Sequence, residues 1–202
     1  MTTLKTIKLV AISLLFIGLT SCDSDEPEQE QGNLETKTIE NFHAPGDIRD
    51  HTTGQVIEER AFHYFSFSTA GEVAVTDDWD IAFKGSTIIT NSGIHGNSQA
   101  AATIETSTLS ALTEAPNDDD FSIDTAISNA IPLGSGHGWY TYSMTTHRYT
   151  PIAGKIIVVR THDGKYAKME IINYYKTVEP NLGEGGNITF NYVYQPNGTK
   201  DF

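Results

Sequence analysis

Cys22 is the only cysteine in this chain of 202 residues, and it closes the run Leu19-Thr20-Ser21-Cys22. Ahead of it stand basic Lys5 and Lys8 and the apolar stretch from Leu9 to Leu19. A basic start, an apolar run and small residues before the cut compose an export signal. A thiol placed at the cut can take a diacylglycerol through a thioether bond. The sequence therefore predicts a bacterial lipoprotein, with a signal peptide over residues 1–21 and lipid on the sulfur of Cys22. The apolar run is shorter than the roughly 20 residues that a bilayer-spanning helix needs. Two or three acyl chains, at about 0.8 kcal/mol per buried CH₂, would hold the protein on a membrane without such a helix.

Other residue groupings point away from familiar reactions. His43, His51 and His63 have no close metal-ligand spacing, and without a second cysteine a structural zinc site is not expected. His162 precedes Asp163-Gly164 and reads as an exposed turn residue. Asp118-Asp119-Asp120 is an acidic loop that lacks the glycine and distal glutamate of an EF-hand. Asn187-Ile188-Thr189 and Asn197-Gly198-Thr199 match the glycosylation sequon, but they follow a bacterial signal. No Gly-x-Ser-x-Gly elbow, HExxH or Walker loop occurs. A Ser-His-Asp arrangement would have to be assembled in space, so nothing local marks an enzyme.

The chain carries 13 Lys+Arg against 26 Asp+Glu, a formal net charge of −13. Nucleic acid and anionic lipid surfaces are poor partners for such a chain, because binding them depends on cations that neutralise phosphate. Residues 22–33, with Asp25-Glu26-Pro27-Glu28-Gln29-Glu30-Gln31, are acidic and nearly free of apolar side chains. They read as a flexible tether. Residues 34–202 then form one domain, large enough to bury a core without disulfides.

The elements of that domain follow period two. Ile188, Phe190, Tyr192 and Tyr194 share one face of a strand, and Asn187, Thr189, Asn191 and Val193 share the other. Lys155–Thr161 and Lys165–Tyr175 are β-rich runs around His162-Asp163-Gly164, predicting a hairpin with a type I′ Asp-Gly turn. In the second of them Met169 alternates with Ala167 and Ile171, which is a core position. Trp79, Ile81 and Phe83 alternate with Asp80, Ala82 and Lys84 in a further strand. Val56–Ser68 reads as another strand, and Thr103–Leu112 as the one segment that could form a short helix. The predicted class is all-β, a mainly antiparallel, sandwich-like domain with little helix.

These segments also carry a resemblance. Phe65-Ser66-Phe67, Trp79-Asp80-Ile81-Ala82-Phe83, Thr90-Asn91-Ser92-Gly93, Trp139, Val159-Arg160, Asp163-Gly164-Lys165-Tyr166-Ala167-Lys168 and Ile188-Thr189-Phe190-Asn191-Tyr192 occur in the order found in the HmuY family of haem-binding lipoproteins. The chain resembles that family over nearly the whole domain. The resemblance implies an all-β haem carrier at the outer membrane. Such a protein takes haem from haem-carrying proteins and passes it to a TonB-dependent receptor. The acidic stretch after Cys22 resembles signals that send some lipoproteins to the cell surface; the alternative is a spacer facing the periplasm.

In the family two side chains hold the iron, histidines in some members and methionines in others. One follows the tryptophan that matches Trp139, which implies Met144 here. A thioether is a soft ligand suited to haem iron; the competing reading places Met144 in the core. The family's second ligand comes from an excursion that is much shorter here, Pro116 to Trp139, and no residue in it carries over. His137, His147 and His95 are the candidates. Axial ligands lie about 4 Å apart across a metal, from bonds near 2 Å, whereas ten residues of strand span roughly 33 Å. His137 and His147 can therefore share an iron only if the chain folds back between them. In a straight strand Tyr140, Tyr142 and Met144 share a face that would flank a porphyrin, with His137, Trp139 and His147 opposite. A bulge near Thr145-Thr146 would bring His147 round to the Met144 side. The sequence thus leaves two main readings: a surface haem carrier, or an interaction module on the same scaffold that has lost haem. An anchored hydrolase is a distant third.

Overall fold

The computed structural model describes residues 34–50, 52–177 and 184–202. Cys22, the signal segment, the tether and His51 lie outside these residues. The core is made by two antiparallel sheets laid face to face.

The five-stranded sheet has the order β1 (Lys37–His43), β13 (Gly185–Gln195), β12 (Tyr166–Tyr175), β11 (Lys155–Arg160), β8 (Ala101–Thr106). The four-stranded sheet has the order β5 (Gly71–Val73), β4 (His63–Ser66), β6 (Ile81–Lys84), β7 (Thr87–Thr90). Two small hairpins complete the domain, β2 (Ile48–Arg49) with β3 (Val56–Glu58) and β9 (Tyr140–Ser143) with β10 (Arg148–Pro151).

Alternation delivers the core. Ile188, Phe190 and Tyr192 of β13 are fully buried and meet Phe65 and Phe83 from the opposite sheet. Phe83 and Phe190 stack at 5.7 Å between centroids, and Phe42 packs edge-on against Phe65. Such aromatic pairs add to area burial through quadrupole geometry. β11 is buried on both faces. Ile157 and Val159 join the central core, while Ile156 and Val158 lie under Leu112, Ala115 and Phe202. The all-β sandwich expected from period two is therefore the observed architecture.

Three expectations are corrected. Thr103–Leu112 does not form a helix, because Ala101–Thr106 pairs with β11 from Arg160↔Ala101 to Lys155↔Thr106. Its β-branched residues complete the sheet edge. Only a single turn follows, in which the Thr108 carbonyl accepts from Ala111 and Leu112. Val56–Ser68 is two strands rather than one, since Arg60 N–H donates to Asp47 at 3.0 Å and turns the chain between β3 and β4. The β11–β12 turn is not type I′. Gly164 has φ of 81°, but Asp163 is not among the residues with positive φ. Thr161 N–H donates to the Lys165 carbonyl at 2.8 Å and Gly164 N–H to the Thr161 carbonyl at 3.0 Å. These bonds close a three-residue loop that needs only one left-handed position.

The acidic loop is structural. Asp118 accepts from the Tyr166 hydroxyl and pairs with Lys200, each at 3.0 Å, and the Lys200 bond holds its carboxyl below the usual range.

Candidate functional site

The residues after Trp139 do not continue as a straight strand. β9 and β10 pair antiparallel with Tyr142 opposite Tyr149 and Ser143 opposite Arg148, so residues 144–147 form the reversing turn. Thr146 N–H donates to Ser143 Oγ at 3.2 Å. His147 closes the turn with φ of 53°. That left-handed conformation is one histidine adopts more readily than most residues. Met144 and His147 therefore stand at the two ends of one turn. The reversal also carries the His147 ring back onto Tyr142, with Nδ1 3.0 Å from the phenol oxygen.

Met144 is 76% exposed at this turn, so it does not fill the core. Met169, predicted as core, is fully buried. Behind the turn runs a ladder of rings. Tyr142 and Tyr140 each meet Tyr149, at 4.8 and 5.0 Å between centroids, and Tyr149 meets Tyr174 of β12 at 4.7 Å. Trp139 packs against Tyr140 at 4.9 Å and donates its indole N–H to the Ser86 carbonyl at 3.1 Å. Tyr149 N–H donates to the Tyr175 hydroxyl at 2.8 Å. The hairpin is thus fastened to both sheets while its tip projects. Burial pushes the Tyr149 and Tyr174 hydroxyls above the ordinary phenol value, so both stay neutral at physiological pH.

The other predicted ligands separate from this tip or stand beside it. His137 is exposed in the loop entering β9, where Gly136 N–H donates to the Tyr140 carbonyl at 2.8 Å and Ser135 Oγ accepts from Tyr142 N–H at 2.8 Å. His95 packs against Phe62, 6.2 Å between ring centroids, beside the outer cluster of Trp79, Ala82 and Ile89. The sequence had put His147 first, as the residue a bulge near Thr145-Thr146 would bring to the Met144 side, with His137 and His95 as further candidates. The turn sets Met144 and His147 at its two ends, and His95 has a neighbourhood of its own.

Tyr149 and Tyr174 also line a cleft of about 560 Å³ with Asp47, Arg49, Lys84 and Ser86. The Arg60 amide and then the Lys84 ammonium, 3.1 Å from Asp47 Oδ1, hold the Asp47 carboxyl below the usual carboxylate range.

Two relationships were missed in the sequence. His162 is not an exposed turn residue: its side chain is 18% exposed, and its ring Nδ1 lies 2.8 Å from buried Asp80. His43 and His63, dismissed for their spacing, are neighbours in space with ring centroids 6.4 Å apart. The packing of one sheet against the other creates both contacts, and no local sequence signal announces them.

Chemically, the hairpin tip offers a solvent-facing thioether and an imidazole beside tyrosine rings. When His147 Nδ1 donates to the Tyr142 oxygen, Nε2 keeps a lone pair for a ligand. Two facing antiparallel sheets with a projecting aromatic hairpin define the class as an antiparallel β-sandwich domain. A family model described as HmuY protein matches residues 58–192, more than half of the chain, and the chain belongs to the HmuY family. Among solved structures it is similar to the apo HmuY analogue TFO of Tannerella forsythia, at 18% identity, covering 81% of this chain and 96% of that one with a TM-score of 0.47. It is similar to an HmuY-like protein of Bacteroides vulgatus for which haem binding has been suggested, at 20% identity, covering 80% and 91% with a TM-score of 0.46. Apo PinO of Porphyromonas gingivitis shares 16% identity, covering 79% and 97% with a TM-score of 0.47. No curated protein matches the chain.

Proposed function

We propose that this protein is a lipid-anchored haem carrier of the outer membrane, with the hairpin tip as its iron-binding end. The signal over 1–21, the lipid on Cys22 and the tether over 22–33 would hold the domain at the cell surface. Family membership supports haem as the cargo. The single observation that carries the site is the exposure of the Met144 thioether beside His147, at a turn where packing gives no reason for a methionine.

The donor set fits haem. Haem iron accepts a soft thioether and an imidazole axially, and the porphyrin favours aromatic and apolar walls. Met144 would be one ligand and His147 the nearest candidate for the second, with His137 and His95 as further candidates. Tyr142 would flank the ring, whereas Tyr140, expected beside it, is 7% exposed and packed between Trp139 and Tyr149, where it backs the hairpin instead. Haem-carrying proteins would be the source and a TonB-dependent receptor the destination; no catalytic step is required.

A second reading, an interaction module without haem, has its own support. Pro116–Trp139 contains one histidine and no methionine, while Ile127 and Leu133 within it are 96% and 50% exposed. Such apolar exposure suits a protein partner.

Haemin titration of the soluble domain, followed by dithionite, separates the readings. Haem carriage predicts sharp low-spin Soret and Q bands that Met144→Ala abolishes. A spectrum unchanged from free haem in both redox states removes the carrier reading. Haem bands lost in His147→Ala but kept in Met144→Ala keep the function and move the ligand.

A further inference from the structure

We propose that His43 and His63 form a second binding site, for a divalent first-row transition-metal ion, separate from the haem reading. His43 ends β1 of the five-stranded sheet and His63 begins β4 of the four-stranded sheet. Their ring centroids lie 6.4 Å apart.

Each ring is oriented by a partner on the same nitrogen. His43 Nδ1 lies 3.0 Å from Asn187 Oδ1, and the Asn187 amide nitrogen is itself engaged, donating to the Glu184 carbonyl at 2.9 Å. The Asn187 oxygen can only accept, so His43 carries its proton on Nδ1. His63 Nδ1 lies 2.7 Å from Glu72 Oε1, and a carboxylate likewise accepts. In its neutral form each ring therefore keeps the Nε2 lone pair for a ligand. An imidazole whose Nδ1–H is held by a carboxylate or amide oxygen is the arrangement found behind metal-bound histidines.

The spacing is within reach of a shared ion. With metal–nitrogen bonds of about 2.0–2.1 Å the ion sits about 3.2 Å from each ring centroid, so the centroids of two imidazoles on a tetragonal ion stand from about 4.5 Å apart (cis) to about 6.4 Å apart (trans). The observed separation of 6.4 Å lies at the upper end of that range, and a cis pair needs a closing shift of about 2 Å, which side-chain rotation supplies at an open site. His43 is exposed and the His63 side chain is 30% exposed, so an ion can enter. Among the described residues no group of three or more His, Cys, Asp or Glu could hold a metal. Two imidazoles with water completing the shell favour ions high in the Irving–Williams order, such as Cu²⁺ and Ni²⁺, over Mg²⁺ or Ca²⁺. The acidic charge of the chain favours any cation.

The test uses Cu²⁺ on the untagged, haem-free chain, by calorimetry and electron paramagnetic resonance. One ion should bind with superhyperfine splitting from two nitrogens. His43→Ala and His63→Ala should each weaken binding at least tenfold and leave one nitrogen of the pair, and Glu72→Ala should weaken it about 10–100-fold through loss of orientation. NMR of the unaltered chain gives an independent reading, with substoichiometric Cu²⁺ broadening His43 and His63 before other histidines. Equal affinities in all variants, or first broadening at other histidines, overturns the site.

Discussion

Asp80 and His162 are 82 residues apart in sequence and meet at 2.8 Å between carboxylate and ring nitrogen. Asp80 is 1% exposed and also accepts the backbone N–H of His162 at 2.9 Å and of Phe67 at 2.8 Å. One carboxylate thus ties the β11–β12 turn of one sheet to strands of the other. Asp80→Ala leaves the Phe67 and His162 backbone donors unpaired and is expected to cost about 2–6 kcal/mol, at roughly 1–3 per orphaned buried group. Urea denaturation should show the midpoint falling with little change in slope. Asp80→Asn, which keeps an acceptor oxygen, should cost less.

The two methionines should respond in opposite ways. Met169→Ala removes a fully buried side chain and is expected to destabilise by about 2–5 kcal/mol. Met144→Ala at the exposed tip should stay within about 0.5 kcal/mol. Thermal melts of the haem-free domain check both, and a large loss from Met144→Ala would show that the thioether serves packing.

Tyr142→Phe removes the hydroxyl that meets His147 Nδ1. Its cost in stability should be under about 1.5 kcal/mol, the scale of one hydrogen bond. If His147 binds iron, the same substitution shifts the low-spin haem bands and weakens haem. Unchanged spectra would place the second ligand elsewhere.

Gly93 has φ of 59°, and a Cβ there would overlap the carbonyl of Asp124. Asp124 is buried and receives Thr90 N–H at 2.6 Å and Ala130 N–H at 2.7 Å, anchoring the segment that leads to the hairpin. Gly93→Ala should therefore destabilise by at least about 2 kcal/mol. A melt unchanged from that of the parent chain would contradict this packing.

Acid should weaken the Asp47 contacts. The folded carboxyl titrates below the ordinary value of 3.8, held there first by the Arg60 amide and then by Lys84. Its contribution is complete above that ordinary value and is lost as pH falls through the lower folded one. Asp47→Asn should flatten the decline in stability below about pH 4 while leaving the profile above it unchanged, as measured by denaturation across pH.

The sandwich was legible because a half-buried strand forces alternation into the sequence. Ile188, Phe190 and Tyr192 announced β13 by themselves, and Met169 was placed in the core by the same period. The helix expected at Thr103 failed because an open edge on β11 decided those residues. A lone segment does not show whether such an edge exists. Asp163-Gly164 announced a turn but not its type, which the bonds of Thr161 and the hold of Asp80 on His162 selected.

For the site, the sequence by itself determined the inventory: the family, and a methionine with histidines around Trp139. Only the tertiary structure decided which of them meet. The reversal at residues 144–147 set Met144 and His147 at the two ends of one turn and laid His147 on Tyr142, and sheet packing joined His43 to His63 and Asp80 to His162. Local pattern is written in neighbouring residues, whereas these contacts depend on sheet register and on which sheet faces which. Those are set by the packing of the whole core.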